Sequence, residues 1–448
     1  MRVKKSKTAF ILFASFFIFS ACDFNNLKER IVITEENNEL PETEVETEVE
    51  TETELPLENE PKPKKLLLLV YMAADNDLES FAIQNLKQME HAVFRDMELL
   101  VLLDRAEGYD ETNGNWTDTR LFEVCHDDSD SSLIVSKRLS CSALGLGADC
   151  ETELDLGNYT VLKNFINFGK TWCEAEQYAL IIWGHGTGWR AVAIDDRTNT
   201  FISVKDLGLA LKDQGLSVIG FDTCFGGVIE NLYEIKDSSQ YIVASPGITP
   251  SGGWDYKKLL ETISESNFST ESLANAMAES SSALISVFTN SKLSDVMTAF
   301  EDFSEKLSAC IYDNSSRQNI FTTLFGLQSY NYSKYPCDMY LDLAGMAEYF
   351  INDSANSQVS LTVKTCAEKL QMAVNEAVNT SNSADGRIGV HFIPMTGSRT
   401  AASSHSSDYI KDSDNSNQCS FIQNSKFWVP TKKGDSESLL DKLFYAVF

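Results

Sequence analysis

Two residues of complementary chemistry, His185 and Cys224, lie 39 positions apart, and each follows a short apolar run. The first run, Tyr178-Ala-Leu-Ile-Ile-Trp183, leads through Gly184 to His185 and then Gly186-Thr-Gly188. The second, Leu216-Ser-Val-Ile-Gly-Phe221, leads through Asp222-Thr223 to Cys224 and then Phe225-Gly226-Gly227. Runs this short, apolar and bounded by glycine predict buried strands of a parallel sheet. Both reactive residues then emerge at the carboxyl edge, where open α/β sheets bind ligands. A thiol and an imidazole at one crevice can do acyl transfer: the imidazole takes the thiol proton and later protonates the leaving group. The alternative for either residue is a packed core side chain, the commoner fate of a cysteine or a histidine in apolar surroundings.

Strands at those positions need neighbours. Leu66–Ala73 reads as a first buried strand, Asp75-Asn-Asp77 as a helix start, and Leu78, Phe81, Ala82, Leu86 and Met89 repeat at helical spacing. A second strand is expected at Glu98–Asp104, and strands at Arg120–Cys125 and Leu133–Lys137 flank the acidic loop Asp127–Asp130. Helices are expected over Asn158–Trp172, after Ser203-Val-Lys-Asp206 (a capping-box pattern with Asp for Glu), and over Val228–Lys236, with a strand at Gln240–Ser245. Strand and helix alternate, which predicts an α/β/α sandwich around a mostly parallel sheet. Beyond residue 260 the pattern turns helical over Glu271–Val287, Ser294–Tyr312 and Leu361–Thr380, with a late strand at Arg387–Ile393 and a loose loop over 399–420. The sequence therefore divides into a catalytic domain over 65–260 and a mixed, mainly helical C-terminal domain over 261–448, packed on the first.

His185-Gly186, Asp222-Thr-Cys224, Tyr241-Ile-Val-Ala-Ser245 and Gly253-Trp-Asp-Tyr256 together resemble the clostripain family of cysteine peptidases, relatives of caspases, legumains and gingipains. The similarity reaches back to Val70-Tyr-Met-Ala-Ala-Asp-Asn-Asp77 and Leu103-Asp-Arg-Ala-Glu-Gly-Tyr109, and covers roughly residues 65–260 well. It implies a caspase-like fold, Cys224 as nucleophile, His185 as general acid and base, and the backbone N–H groups of Gly186 and Cys224 as oxyanion hole. No third catalytic residue is identifiable, and the family operates with a dyad. Helix dipole and free N–H groups after Gly226-Gly227 are expected to favour the thiolate.

Members of the family cut after Arg or Lys, and Asp222 matches one of the acidic residues that hold the cationic side chain. Ser245 counts with the substrate-binding residues. The chain departs from its relatives at Gly252, where an acidic residue commonly precedes the Gly-Trp-x-Tyr block, and at Pro246-Gly247, where Glu-Glu commonly follows the serine. Asp255 is a candidate to supply the lost charge. Relatives are often activated by self-cleavage between the His and Cys blocks, and Arg197 in Asp195-Asp-Arg-Thr-Asn-Thr200 is the candidate here. Calcium dependence occurs in the family, so the resemblance admits calcium as a cofactor. The Asp127–Asp130 and Asp195-Asp196 clusters read as solvated acidic loops, and no metal residue is assigned. Two rival readings remain: a catalytically silent peptide-binding protein on the same scaffold, and acyl transfer to an amine (transpeptidation) by the same dyad.

The N-terminus carries Arg2, Lys4, Lys5 and Lys7 before an apolar stretch from Ala9 to Ala21, too short to span a bilayer as a helix. Residues 1–21 are expected to be an export signal. Ser20-Ala21-Cys22 resembles a bacterial lipoprotein processing site, with Cys22 lipidated and the protein anchored at the cell envelope or surface; the alternative is an ordinary cleaved signal. Residues 22–64 hold the acidic repeat Thr43–Glu54 and Pro56, Pro61 and Pro63, a self-repelling, solvated tether. Net charge over the 448 residues is −29, and twelve glutamates between Glu35 and Glu60 are unmatched there by any Lys or Arg. That balance argues against nucleic-acid partners and leaves peptide or protein substrates. Setting aside Cys22 and Cys224, eight cysteines remain, enough for up to four disulfides in an exported protein, including a local bridge among Cys125, Cys141 and Cys150.

Overall fold

The structure, a computed structural model, describes residues 62–129, 131–327, 329–331, 339–352, 360–379, 387–392, 425 and 439–444. The expected export signal, Cys22, all but the last few residues of the tether, Cys337, Cys419 and the 399–420 loop lie outside the described residues.

In chain order the strands are β1 (Lys64–Ala74), β2 (Met97–Arg105), β3 (Arg120–Glu123), β4 (Lys137–Leu139), β5 (Ala175–Gly184), β6 (Ala191–Asp195), β7 (Thr200–Ser203), β8 (Val218–Asp222), β9 (Tyr241–Ala244), β10 (Ser286–Thr289), β11 (Ser329–Asn331), β12 (Met339–Asp342), β13 (Val378–Asn379) and β14 (Gly389–Phe392). Nine form one sheet in the order β13-β10-β9-β8-β5-β1-β2-β3-β4. Its five central strands, β2 through β9, pair in parallel, and antiparallel strands close both edges. The chain leaves β1 toward β2 and returns beside β1 as β5, so the strand order reverses between β1 and β5. At such a switch point the loops diverge and leave a crevice at the carboxyl edge.

Both faces of the sheet are covered, because β1 is apolar on both. Leu67, Leu69 and Tyr71 join one buried cluster with side chains of α2 (Tyr159–Trp172), α3 (Val204–Leu211) and α4 (Ile229–Glu234). Leu66, Leu68, Val70 and Met72 join the other, with α1 (Glu79–Glu90), α5 (Tyr256–Glu265) and α6 (Thr270–Glu279). The expected α/β/α sandwich is thus the observed architecture. Ser203 caps α3 as expected, its Oγ accepting from the Asp206 N–H at 3.1 Å.

The boundary expected at residue 260 falls inside this sheet. β10 and β13 come from beyond it and extend the sheet past β9, and Leu370 lies in the same buried cluster as Leu67. The described residues, from 62 onward, belong to one compact unit. The helix expected through Val287 stops at Glu279, and Ser286–Thr289 is the strand β10; β-branched and aromatic residues after Ser280-Ser-Ser favour a pleated, half-buried surface. The seven described cysteines, Cys125, Cys141, Cys150, Cys173, Cys224, Cys310 and Cys366, are all free, so the local bridge expected among the first three is not formed. Among the described residues no helix is long and apolar enough to cross a membrane.

Candidate active site

β5 ends at Gly184 and β8 at Asp222, neighbouring parallel strands that deliver His185 and Cys224 to the same rim. Both side chains line one cavity of about 230 Å³, together with Trp183, Asp222, Thr249 and Gly253. The loops carrying them touch. A Cβ placed on Gly186 would lie 2.5 Å from the Cys224 carbonyl oxygen and 2.9 Å from Thr223 Oγ1, so only glycine allows this approach.

Cys224 is held by the loop after β9. Its Sγ accepts from the Thr249 N–H at 3.4 Å. Burial pushes the thiol above its ordinary range, the Asp222 charge adds to this, and the Thr249 N–H opposes it. The expectation of a thiolate at a helix N-terminus is therefore corrected: α4 begins only at Ile229, after a sharp turn through Phe225. Phe225 has a left-handed φ of 56°, and its N–H donates to the Gly247 carbonyl at 2.7 Å. Strained non-glycine backbone of this kind persists where surrounding contacts fix it. Ser245 supplies part of that fixing, its carbonyl accepting from Gly227 at 2.8 Å and its Oγ from Gly247 at 3.1 Å. It shapes the turn and is not among the residues lining the cavity.

His185 has a partner that the sequence reading did not foresee. Its Nε2 lies 2.6 Å from Asp77 Oδ1. Asp77 follows β1, and Ala73 of β1 pairs with Gly184 of β5, so the two strands end level. The expected helix-start role is not the one observed, since α1 is capped at Leu78 with no side-chain bond. Asn76 fixes the turn instead, donating to the Ala73 and Ile194 carbonyls at 3.1 and 2.9 Å and accepting from the Leu78 N–H. With a carboxylate on Nε2, Nδ1 is the ring nitrogen left for proton transfer.

Asp222 lines the cavity and is 4% exposed. Its Oδ2 accepts from the Trp254 N–H and the Tyr256 hydroxyl, each at 3.0 Å, while Oδ1 is buried without a partner. Burial raises its pKa to about 7, against the lowering effect of those two donors. Gly253 (φ +67°) makes room for it: a Cβ there would lie 2.6 Å from Asp222 Oδ2. Asp255, the candidate substitute charge, does not join them. It is exposed and caps α5, accepting from the Lys258 N–H at 3.0 Å.

The sequence pattern that defines the clostripain family matches residues 70–428. The chain belongs to the clostripain family. Clostripain of Hathewaya histolytica is 24% identical over 268 residues, 53% of this chain and 46% of its own length. The chain thus spans about half the length of that curated relative. Among solved structures, an inactive zymogen C11 protease from Parabacteroides distasonis matches with a TM-score of 0.53 and 17% identity, over 79% of this chain and 99% of the other. A secreted C11 cysteine protease from Bacteroides thetaiotaomicron, in complex with an irreversible peptide inhibitor, matches with 0.53 and 18% over the same shares. The caspase-like fold is common to them.

In this clostripain-family chain one more residue ties the two loops together. Tyr340, in β12, stacks on Phe225 with ring centroids 4.8 Å apart, and its hydroxyl donates to the Thr187 carbonyl at 2.7 Å. No local motif announces it, because it lies more than a hundred residues downstream of both loops. Arg197, the candidate processing point, is exposed in the turn between β6 and β7 and pairs with Glu153 at 2.9 Å. The two acidic loops are occupied by protein groups: Asp127 by Lys87 and Ser129, Asp195 by the N–H groups of Leu156 and Thr198.

Proposed function

We propose that this clostripain-family chain is a cysteine endopeptidase that cuts after Arg or Lys. The observation that carries the reading is the shared cavity, lined by Cys224, His185 and Asp222 together. His185 takes the Cys224 proton, the sulfur attacks the scissile carbonyl, and a thioester forms as the protonated leaving amine departs. His185 then activates water for deacylation. The N–H groups of Gly186 and Cys224 serve as oxyanion donors, each of which typically lowers the barrier by ~3 kcal/mol. A thiol pushed up by burial needs such a base, so the attack is coupled to proton transfer rather than made by a resting thiolate. Asp77 orients the imidazole and stabilises its protonated form. An Arg or Lys side chain entering the cavity meets Asp222 in desolvated surroundings, where a charge-assisted bond is strongest.

Export to the cell envelope through the N-terminal segment, with Cys22 lipidated, belongs to the same reading; it is supported by the residue pattern before Cys22 and by the secreted relative from Bacteroides thetaiotaomicron. The decisive assay compares fluorogenic peptides ending in Arg, Lys or Gln on the wild type and on Cys224→Ala. Turnover of the basic peptides that vanishes in the variant is expected. Peptide binding without turnover in either protein would overturn the peptidase.

A further inference from the structure

Asn85 stands on the apolar face of α1, in a row with Ala82, Leu86 and Met89, which join the buried cluster on that side of the sheet. It is 1% exposed. An amide in a helix interior weakens the helix, and it is costly to bury unless both of its ends are bonded. Here both ends are. Its Oδ1 accepts from the Trp183 indole N–H at 2.9 Å, and its Nδ2 donates to the Gly252 carbonyl at 3.0 Å. An indole only donates, which fixes the end of the amide that faces it. Three residues further along the same helix face, Gln88 Oε1 accepts from the Tyr256 N–H at 3.0 Å. α1 therefore holds both ends of the segment Gly252–Tyr256.

That segment holds Asp222, since its Trp254 N–H and Tyr256 hydroxyl are the two donors to Oδ2. Gly253 is packed against all the parties: a Cβ on it would lie 2.6 Å from Asp222 Oδ2 and 3.1 Å from both Asn85 Oδ1 and Trp183 Nε1. Trp183 pairs with Asp222 in register, and both line the cavity, whereas Asn85 and Gln88 are not among the residues lining it. We propose that Asn85, seconded by Gln88, is a specificity-determining positioning residue. Granted the preference for Arg or Lys proposed above, it sets the Asp222 carboxyl and the Trp183 ring for an entering cationic side chain without touching that side chain. A charge-assisted bond depends steeply on distance and angle, so a carboxyl that wanders loses most of its hold on a guanidinium or ammonium group. An amide suits the place: it is uncharged, so it adds no repulsion to Asp222, and it offers a donor and an acceptor in one plane. A peptide with Gln in place of Arg forms no ion pair with Asp222 and depends less on that placement. The bonds of Asn85 and Gln88 run to the walls of the cavity rather than to Cys224 or His185, so their loss falls on KM more than on kcat.

The test measures kcat and KM of the full chain for a fluorogenic Arg peptide and its Gln counterpart. The ratio of the two kcat/KM values is the same however much of a preparation is folded, so a loss of stability alone does not move it. Asn85→Ala and Gln88→Leu are each expected to lower the Arg-over-Gln ratio about tenfold through a raised KM for the Arg peptide, with kcat little changed. Gln88→Glu keeps an acceptor for the Tyr256 N–H and is expected to retain the parent ratio, as is Gln84→Ala on the exposed face of the helix. Gln88 is half-buried, so its two variants keep the test valid if Asn85→Ala fails to fold. Variants that lose melting temperature but keep the ratio are structural supports only; they overturn this proposal while the Arg preference of the wild type stands. A ratio that falls equally in Gln88→Glu and Gln88→Leu overturns the part given to Gln88. A wild type without Cys224-dependent turnover, or one that turns over both peptides alike, overturns the basic preference and this proposal with it.

Discussion

Asp77 Oδ1 and His185 Nε2 stand 2.6 Å apart, joining the end of β1 to the end of β5 across the switch point of the sheet. On the proposed dyad, a carboxylate on Nε2 favours the tautomer that leaves Nδ1 for the thiol. Asp77→Asn keeps the shape and removes the charge, and a charge-assisted hydrogen bond contributes about 1.5–3 kcal/mol. The expected result is a fall in kcat of roughly 10- to 100-fold with KM little changed. A purely structural role would move the melting temperature and leave that split absent.

Burial pushes the Asp222 carboxyl up to about 7, so its full negative charge is expected only above that pH. The ratio of kcat/KM for an Arg peptide over its Gln counterpart is expected to fall about tenfold per pH unit below 7 and to level off above it. In Asp222→Asn the ratio is low and flat across the range. The sign for stability follows from the same shift. A carboxyl with a raised folded-state pKa favours folding while protonated, and that contribution is lost as pH rises from about 4 to about 7. Melting curves of Asp222→Asn are expected to show a weaker decline over that window.

Gly252 is where relatives commonly carry an acid, and a Cβ built on it meets nothing within 4 Å. A side chain therefore fits there without rearrangement. Gly252→Asp adds a carboxylate between Ser251 and Gly253, which both line the cavity, and is expected to raise the Arg-over-Gln ratio severalfold, mostly through KM. An unchanged ratio would mean that Asp222 alone sets the preference.

Tyr340→Phe keeps the stacking on Phe225 and removes the hydroxyl from Thr187. Loss of one neutral hydrogen bond of about 1 kcal/mol predicts a kcat reduced about fivefold at nearly unchanged KM. Tyr340→Ala also empties a buried aromatic site, at a cost of ~3–5 kcal/mol in stability. Activity and melting temperature measured on both variants separate positioning from packing.

How much of this was legible in the residues depends on distance along the chain. His185 and Cys224 could be found because an apolar run bounded by glycine marks a strand end, and neighbouring strand ends share a rim. Asp77 escaped because its role depends on the register that makes β1 and β5 end level, while locally it reads as a helix start. Asp255 misled for the converse reason: its charge suited the cavity, but its position before Tyr256 makes it the cap of α5. The extent of the sheet beyond residue 260 was hidden because β10 and β13 are four and two residues long, too short for a periodic pattern to register.

The contact of Tyr340 with both loops has a consequence for timing. Synthesis delivers the sulfur and the imidazole long before the ring that braces them, so a growing polypeptide carries its reactive pair unbraced until more than a hundred further residues have emerged. The proposed peptidase activity is therefore expected only once that later part of the chain has been made and folded back onto the two loops.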